Sequence, residues 1–155
     1  MTAHDIVRAA VLVREAGEAD LTGVLDLYVR SGLETGAGPD PEQARSILRR
    51  YAAYPDYRLY VANVGVELAG SFALLIMHKL GHGGQPAGVV DDVAVAPEWQ
   101  RRGVGHVMME RARERCTQAG CYKLALSSSS RRCKAHAFYR SLGFEAHGIS
   151  FAVRL

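Results

Sequence analysis

Residues 93–105 read VAVAPEWQRRGVG. An alternating apolar run ends at a proline, two arginines and two glycines follow, and a long helical pattern then begins. Alternation over the first residues predicts a half-buried strand. Beyond it, the first four amides of a helix have no internal partner and point toward one place. Gly103 and Gly105 carry no side chains, so an anion can approach that backbone closely, and the positive end of the helix dipole favours it. The stretch therefore predicts a phosphate cradle, against the plainer reading of a tight strand-to-helix turn with solvated arginines. Two motifs built on the same physics are excluded. No GK[ST] follows, as a P-loop requires, and Met108 stands where GxGxxG has its third glycine.

Downstream of the turn, Val104, Val107, Met108, Arg111, Ala112, Arg115 and Cys116 recur at three- and four-residue intervals, and Gly120 closes the pattern. This predicts a helix of about four turns. A strand YKLALSS at 122–128, a polar loop, a short helix AHAFYRSLG at 135–143 and a strand-like GISFAVRL at 148–155 complete the chain. Upstream, VVDDVAV at 89–95 feeds the turn. The runs YRLYVANV at 57–64 and LAGSFALLIMHKL at 68–80 make an antiparallel pair. Asp40 caps a helix that has Pro41 in its first turn and runs through Tyr51. Leu21, Val24, Leu25 and Tyr28 lie at helical spacing, and a short strand at 11–14 opens the order β-α-α-β-β-β-α-β-α-β. Such alternation implies an α/β chain with a mixed sheet and helices on both faces, in one domain spanning 1–155.

Composition narrows the function. The 155 residues are 48% apolar and 23% charged with a net charge of +3, ordinary for a globular chain able to bury about 68–70% of its unfolded surface. Glu110 and Glu114 interleave with Arg111, Arg113 and Arg115 on one helix, a solvated face and no nucleic-acid footprint. Cys116, Cys121 and Cys133 form no CxxC, which argues against a zinc site or a disulfide framework. No membrane span or signal peptide is evident, so a cytoplasmic protein is expected. His78 and His82 fall in a glycine-rich loop, and no metal is expected. His106, His136 and His147 are acid–base candidates or polar packing.

Taken together, DDVAVAPEWQRRGVG (91–105), the helix ending at QAG, the strand YKLALS and AHAFYRSLGF (135–144) resemble the GNAT superfamily of N-acetyltransferases. The likeness is strong from about residue 89 onward, and over the first 60 residues it rests on element order alone. It implies the GNAT-like acyl-CoA N-acyltransferase fold, a mixed sheet of six to seven strands splayed between strands 4 and 5. In that family the strand before the turn carries a bulge and splays from the next strand, so the main chain of Val93, Ala94 and Val95 would pair with the pantetheine arm of acetyl-CoA in the gap. Amides of Arg101, Arg102, Gly103, Val104, Gly105 and His106 would hold its pyrophosphate, with side-chain contacts from Gln100 and Arg102. Ser128 and Arg132 would line the loop beside the cofactor. Tyr139, from the family's FY pair, corresponds to the usual general acid and also borders the cofactor; a core-edge tyrosine is its plainer reading. Asp91 and Asp92 are candidates for the carboxylate many members place on the strand before the turn. Unbroken alternation sends the two to opposite faces, and parity with Val93 and Val95 favours Asp91, leaving Asp92 a structural role.

The implied chemistry is direct acetyl transfer to a primary amine of a small molecule: an amino sugar, aminophosphonate, aminoglycoside, polyamine or amino acid. Arg14, Arg30, Lys79, Arg131 and Arg132 would suit an anionic acceptor if they line its cleft. A non-catalytic acyl-CoA sensor and acetylation of a protein amine are the alternatives, no nucleic acid or membrane partner is expected, and a homodimer stays open.

Overall fold

A computed structural model describes residues 1–155, the side chain of His4 excepted. The chain divides into two compact units, Met1–Ala125 and Leu126–Leu155.

The first unit is built on a five-stranded sheet ordered β1-β2-β3-β4-β5, with β1 at Val11–Glu15, β2 at Tyr57–Val64, β3 at Glu67–Met77, β4 at Ala87–Val95 and β5 at Lys123–Leu126. The first four strands pair antiparallel with their neighbours. Five strands are present where six to seven are expected.

Helices cover both faces. On one face lie α2 (Leu21–Arg30) and α3 (Pro41–Ala53). Leu21 and Val24 of α2 and Ala44 of α3 bury against Leu59 and Val61 of β2. The sequence sets the start of α3 as expected: Asp40 accepts from the amide of Gln43, Gln43 accepts from that of Asp40, and Pro41 occupies the first turn. On the other face lies α4 (Val104–Gln118), burying Val104, Met108, Met109, Ala112 and Cys116. Two glycines let this helix sit close to the sheet. A Cβ on Gly70 of β3 would stand 2.5 Å from the Met108 sulfur, and one on Gly88 of β4 would stand 2.2 Å from that of Cys116. Ala62 pairs with Gly70, so it shares the α4 face, and its neighbour Val61 takes the opposite one.

The helix at the amino terminus, α1 (Ala3–Ala10), was not expected. Its start is a capping box in which Asp5 stands where a glutamate is usual: Thr2 Oγ1 accepts from the Asp5 amide, and the Thr2 amide donates to the Asp5 carboxylate. Arg8 of α1 reaches Glu110 of α4 at 3.7 Å.

β5 starts beside the beginning of β4, where the Tyr122 amide donates to the Pro86 carbonyl at 3.1 Å. It runs for four residues against nine in β4. A short strand that enters level with residue 86 ends before the second half of its neighbour is reached. The main chain of Ala94 and Val95 therefore pairs with β3 on one edge and lies past the end of β5 on the other.

The second unit holds one helix, α5 (Cys133–Ser141). Residues 148–155 form no strand, which corrects the expectation for GISFAVRL. Its alternating residues Ile149, Phe151 and Val153 are more than four-fifths exposed. Alternation shows which side of a strand is apolar, but a strand needs a ladder, and this unit offers α5 and no paired strand. Among the described residues, no helix is long and apolar enough to cross a membrane.

Candidate active site

The site begins with an irregularity in β4. Ser71 pairs with Ala94 and Ala73 with Asp91, so two steps along β3 oppose three along β4. The extra residue makes a bulge, and Asp92 takes a left-handed conformation with φ +48°. Alternation is interrupted there, which removes the premise of the parity argument for Asp91. Asp91 is exposed, and its Oδ1 accepts the amide of Asp92 at 2.9 Å. Asp92 is partly buried, and that burial, aided by the neighbouring Asp91 charge, pushes its carboxyl above the usual carboxylate range.

Around Asp92 the fold gathers tyrosines from three elements. Tyr28 comes from α2, Tyr51 from α3 and Tyr57 from the start of β2. Burial, then the Asp92 charge, pushes the Tyr28 hydroxyl up to about 12. Tyr51 is raised as well, first by burial and then by its hydrogen bond with Tyr57, and the two rings lie 4.2 Å apart. Beside Tyr28 stands Ser71, fully buried, its hydroxyl close enough to Tyr28 to offset part of that rise. Buried hydroxyls close to a carboxyl of raised pKa mark a place where a polar ligand atom or water would be favoured. Sequence reasoning assigned Tyr28 and Tyr51 to apolar helix faces and passed over Tyr57 and Ser71. These four residues are spread over residues 28–71, and no local spacing connects them.

The turn after β4 has the geometry of an anion site. A 3₁₀ turn at Pro97–Trp99 leads to Arg101 at φ +60° and Gly103 at φ +89°. Left-handed residues interspersed in a turn aim successive amides into one concavity. The first bond of α4 runs from the Val107 amide to the Gly103 carbonyl at 3.1 Å, so the amides of Val104, Gly105 and His106 have no partner within the helix. Gln100 Nε2 donates to the Val95 carbonyl at 3.2 Å, turning this side chain back onto the strand. The Arg102 side chain is exposed. His106 meets Glu110 at 2.9 Å one turn along α4.

The second unit carries Ser128, Arg132 and Tyr139. Ser128 Oγ is buried without a hydrogen-bond partner. The exposed Arg132 precedes the first residue of α5 without a side-chain capping bond, and His136 Nε2 meets the Ser129 carbonyl at 2.9 Å. Tyr139 is partly buried, its ring 5.2 Å from that of Phe138 and 5.7 Å from that of Phe144.

Several other candidates have local partners. Arg14 forms a bidentate pair with Asp20 at 2.7 and 2.8 Å. Arg30 bonds Asp26 and Glu98, and Lys79 Nζ donates to the Tyr122 hydroxyl at 3.2 Å. His78 meets Asp56 at 2.8 Å, and His82 stacks on Tyr122 with centroids 4.2 Å apart. No group of three or more His, Cys, Asp or Glu able to hold a metal occurs among the described residues.

Residues 21–144 match the family model described as Acetyltransferase (GNAT) family. The chain is 38% identical over 81 residues to a glucosamine 6-phosphate N-acetyltransferase of Trypanosoma brucei brucei, covering 52% of this chain and 53% of that relative. It is 27% identical over 143 residues to an aminoglycoside N(6')-acetyltransferase type 1 of Stenotrophomonas maltophilia, covering 90% of each. The solved structure of a Trypanosoma brucei acetyltransferase superposes with a TM-score of 0.81 at 27% identity, covering 94% of this chain and 99% of that one.

Proposed function

Because the chain belongs to the acetyltransferase (GNAT) family, we propose that it transfers an acetyl group from acetyl-CoA directly to a primary amine of a small molecule, with an amino sugar as the first class to try. The bulged β4 running into the Gln100–Gly105 turn carries this reading: one strand places a half-buried carboxyl, an open main-chain edge and an anion-binding turn in succession.

Acetyl-CoA brings an acetyl group activated as a thioester; the chain's residues bind it and move protons. Free amides at 104–106 receive the pyrophosphate, with Arg102 beside them. The main-chain groups of Val93, Ala94 and Val95 pair with the pantetheine arm as a strand would. A protonated amine cannot attack, so a base must take its proton. Asp92 is better suited than Asp91, since its raised pKa suits a base and it lies against the tyrosine cluster. Tyr28 and Ser71 supply hydroxyls through which the proton can pass by water. The amine nitrogen then bonds to the carbonyl carbon while main-chain amides stabilise the oxyanion. As the carbon–sulfur bond breaks, Tyr139 donates its proton to the departing sulfur, and the proton that the nitrogen loses on becoming an amide restores the tyrosine hydroxyl.

Both named relatives act on amines carried by sugars, and a cluster of tyrosine hydroxyls with the Asp92 carboxyl suits a hydroxylated, cationic acceptor. Free Cys116, Cys121 and Cys133 fit a reducing cytoplasm. The test is a screen of amino sugars, aminoglycosides, polyamines and amino acids with acetyl-CoA, following thiol release. Turnover with an amino sugar is the expected outcome. Tight CoA binding with no turnover for any amine would leave a sensor instead.

A further inference from the structure

Trp99, the chain's one tryptophan, lies in the turn before α4, its amide donated to the Ala96 carbonyl at 2.8 Å and so not offered to a ligand. Its ring packs on Leu27, Ala94 and Ala96. Its Nε1 donates to Glu67 Oε2 at 3.1 Å, reaching across to the β2–β3 hairpin. The Arg102 guanidinium lies over the same ring, 5.4 Å from its centroid. A single indole thus has its edge tied to a carboxylate and its face under a cation. The hydrogen bond fixes how the ring is rotated, and the ring face then limits where the guanidinium rests. Arg102 has no other hydrogen bond or ion pair among the described residues, and an exposed arginine otherwise samples many rotamers, all of which must be given up when it meets a phosphate.

We infer that Trp99 is a positioning residue for the cofactor: tied to Glu67, it holds the Arg102 guanidinium ready beside the anion-binding turn, so that less conformational freedom is lost when the pyrophosphate binds. The inference rests on the proposed use of that turn for acetyl-CoA. It assigns roles to Trp99 and Glu67, neither of which would touch the substrate, and it predicts that Glu67, near residue 100 only in space, affects CoA affinity.

The test measures binding of CoA and of pantetheine, which lacks the pyrophosphate, by calorimetric and competition titration of the whole chain. Glu67→Ala removes the tie at an exposed hairpin position and leaves the Trp99 packing intact. It should weaken CoA binding about two- to fivefold, the range for one cation–π contact of modest exposure, and leave pantetheine unchanged. Trp99→Phe keeps a ring under Arg102 and loses the donor, so it should behave like Glu67→Ala. Glu67→Gln keeps an acceptor and should bind CoA as the natural chain does. In an Arg102→Ala background, Glu67→Ala should add nothing, because the strut acts only through that guanidinium. Unchanged CoA affinity in Glu67→Ala, an equal loss for pantetheine, or a loss additive with Arg102→Ala would overturn the strut. Equal affinity of the natural chain for CoA and pantetheine would instead remove the pyrophosphate cradle, a different failure that the same titrations distinguish.

Discussion

Asp92 shows how one backbone torsion changes the chemistry of a residue. In an unbroken strand it would face away from Val93 and Val95; at φ +48° inside the bulge it lies partly buried, within electrostatic reach of Tyr28 and Tyr51. Because its pKa is raised on folding, the folded chain holds a proton that the unfolded chain has already lost between the ordinary and the raised value. Stability therefore falls as pH rises through that window. Asp92→Asn should abolish this fall in a series of thermal melts across acidic pH, whereas Asp91→Asn should only reduce it by removing one repulsive neighbour. In kinetics, Asp92→Asn should lose about 10²–10⁴-fold in turnover, the range for a positioned general base. It should also lose the acidic limb of the rate profile, and an unaltered profile would return the role to Asp91 or to solvent. Tyr139→Phe keeps the ring that packs with Phe138 and Phe144 and removes the proton donor. Its turnover should fall, with the deficit shrinking at high pH, where a thiolate leaves unaided. Equal rates at every pH would make Tyr139 structural. The sequence showed both aspartates and Tyr139 as candidates, and the family resemblance implied a bulge in this strand, but which aspartate is buried depends on where the bulge falls, and no residue type marks that position in advance.

At the scale of elements, α4 and the turn before it assign packing and the proposed phosphate cradle to different glycines. Gly103 sits at φ +89° and Gly105 lies inside the first turn of the helix. Gly105→Val therefore keeps an allowed backbone while crowding the approach to the amides of residues 104–106. It should raise the acetyl-CoA dissociation constant with little change in melting temperature, and unchanged binding in the folded variant would remove the cradle. Gly88→Val tests the packing side. Its Cβ alone would meet the Cys116 sulfur at 2.2 Å, so α4 must shift or the core must open, costing about 1–3 kcal/mol as overpacking does. A chemical melt should read this as a loss of stability, and unchanged stability would show that α4 docks less tightly than its glycines imply. Most elements were legible from apolar periodicity and from the Asp40–Pro41 start, because these signals are local. Two were not. α1 opens with an aspartate in place of the usual glutamate of its capping box, and residues 148–155 have the alternation of a strand without a ladder to join.

For the whole molecule, the question is whether acetyl transfer passes through an enzyme-bound intermediate. Such a route needs a nucleophile that is ionised and reachable. Burial pushes the Cys116 thiol up to about 12, and Cys121 is raised by the same cause. A thiol so far above neutrality is almost entirely protonated, and the thiolate is the reactive form. Cys133 is exposed at the first residue of α5, where access is open, so it is the cysteine to test directly. Cys133→Ala and Cys116→Ala should each retain turnover with an amine found by the screen. Initial rates measured against both substrates should give intersecting reciprocal plots, since direct attack requires acetyl-CoA and amine to be bound together. Parallel plots, or an acetyl group recovered on the protein after incubation with acetyl-CoA alone, would require a covalent step. In that case the loss of activity in Cys133→Ala would identify the nucleophile, and the base role given to Asp92 would pass from the amine to that thiol.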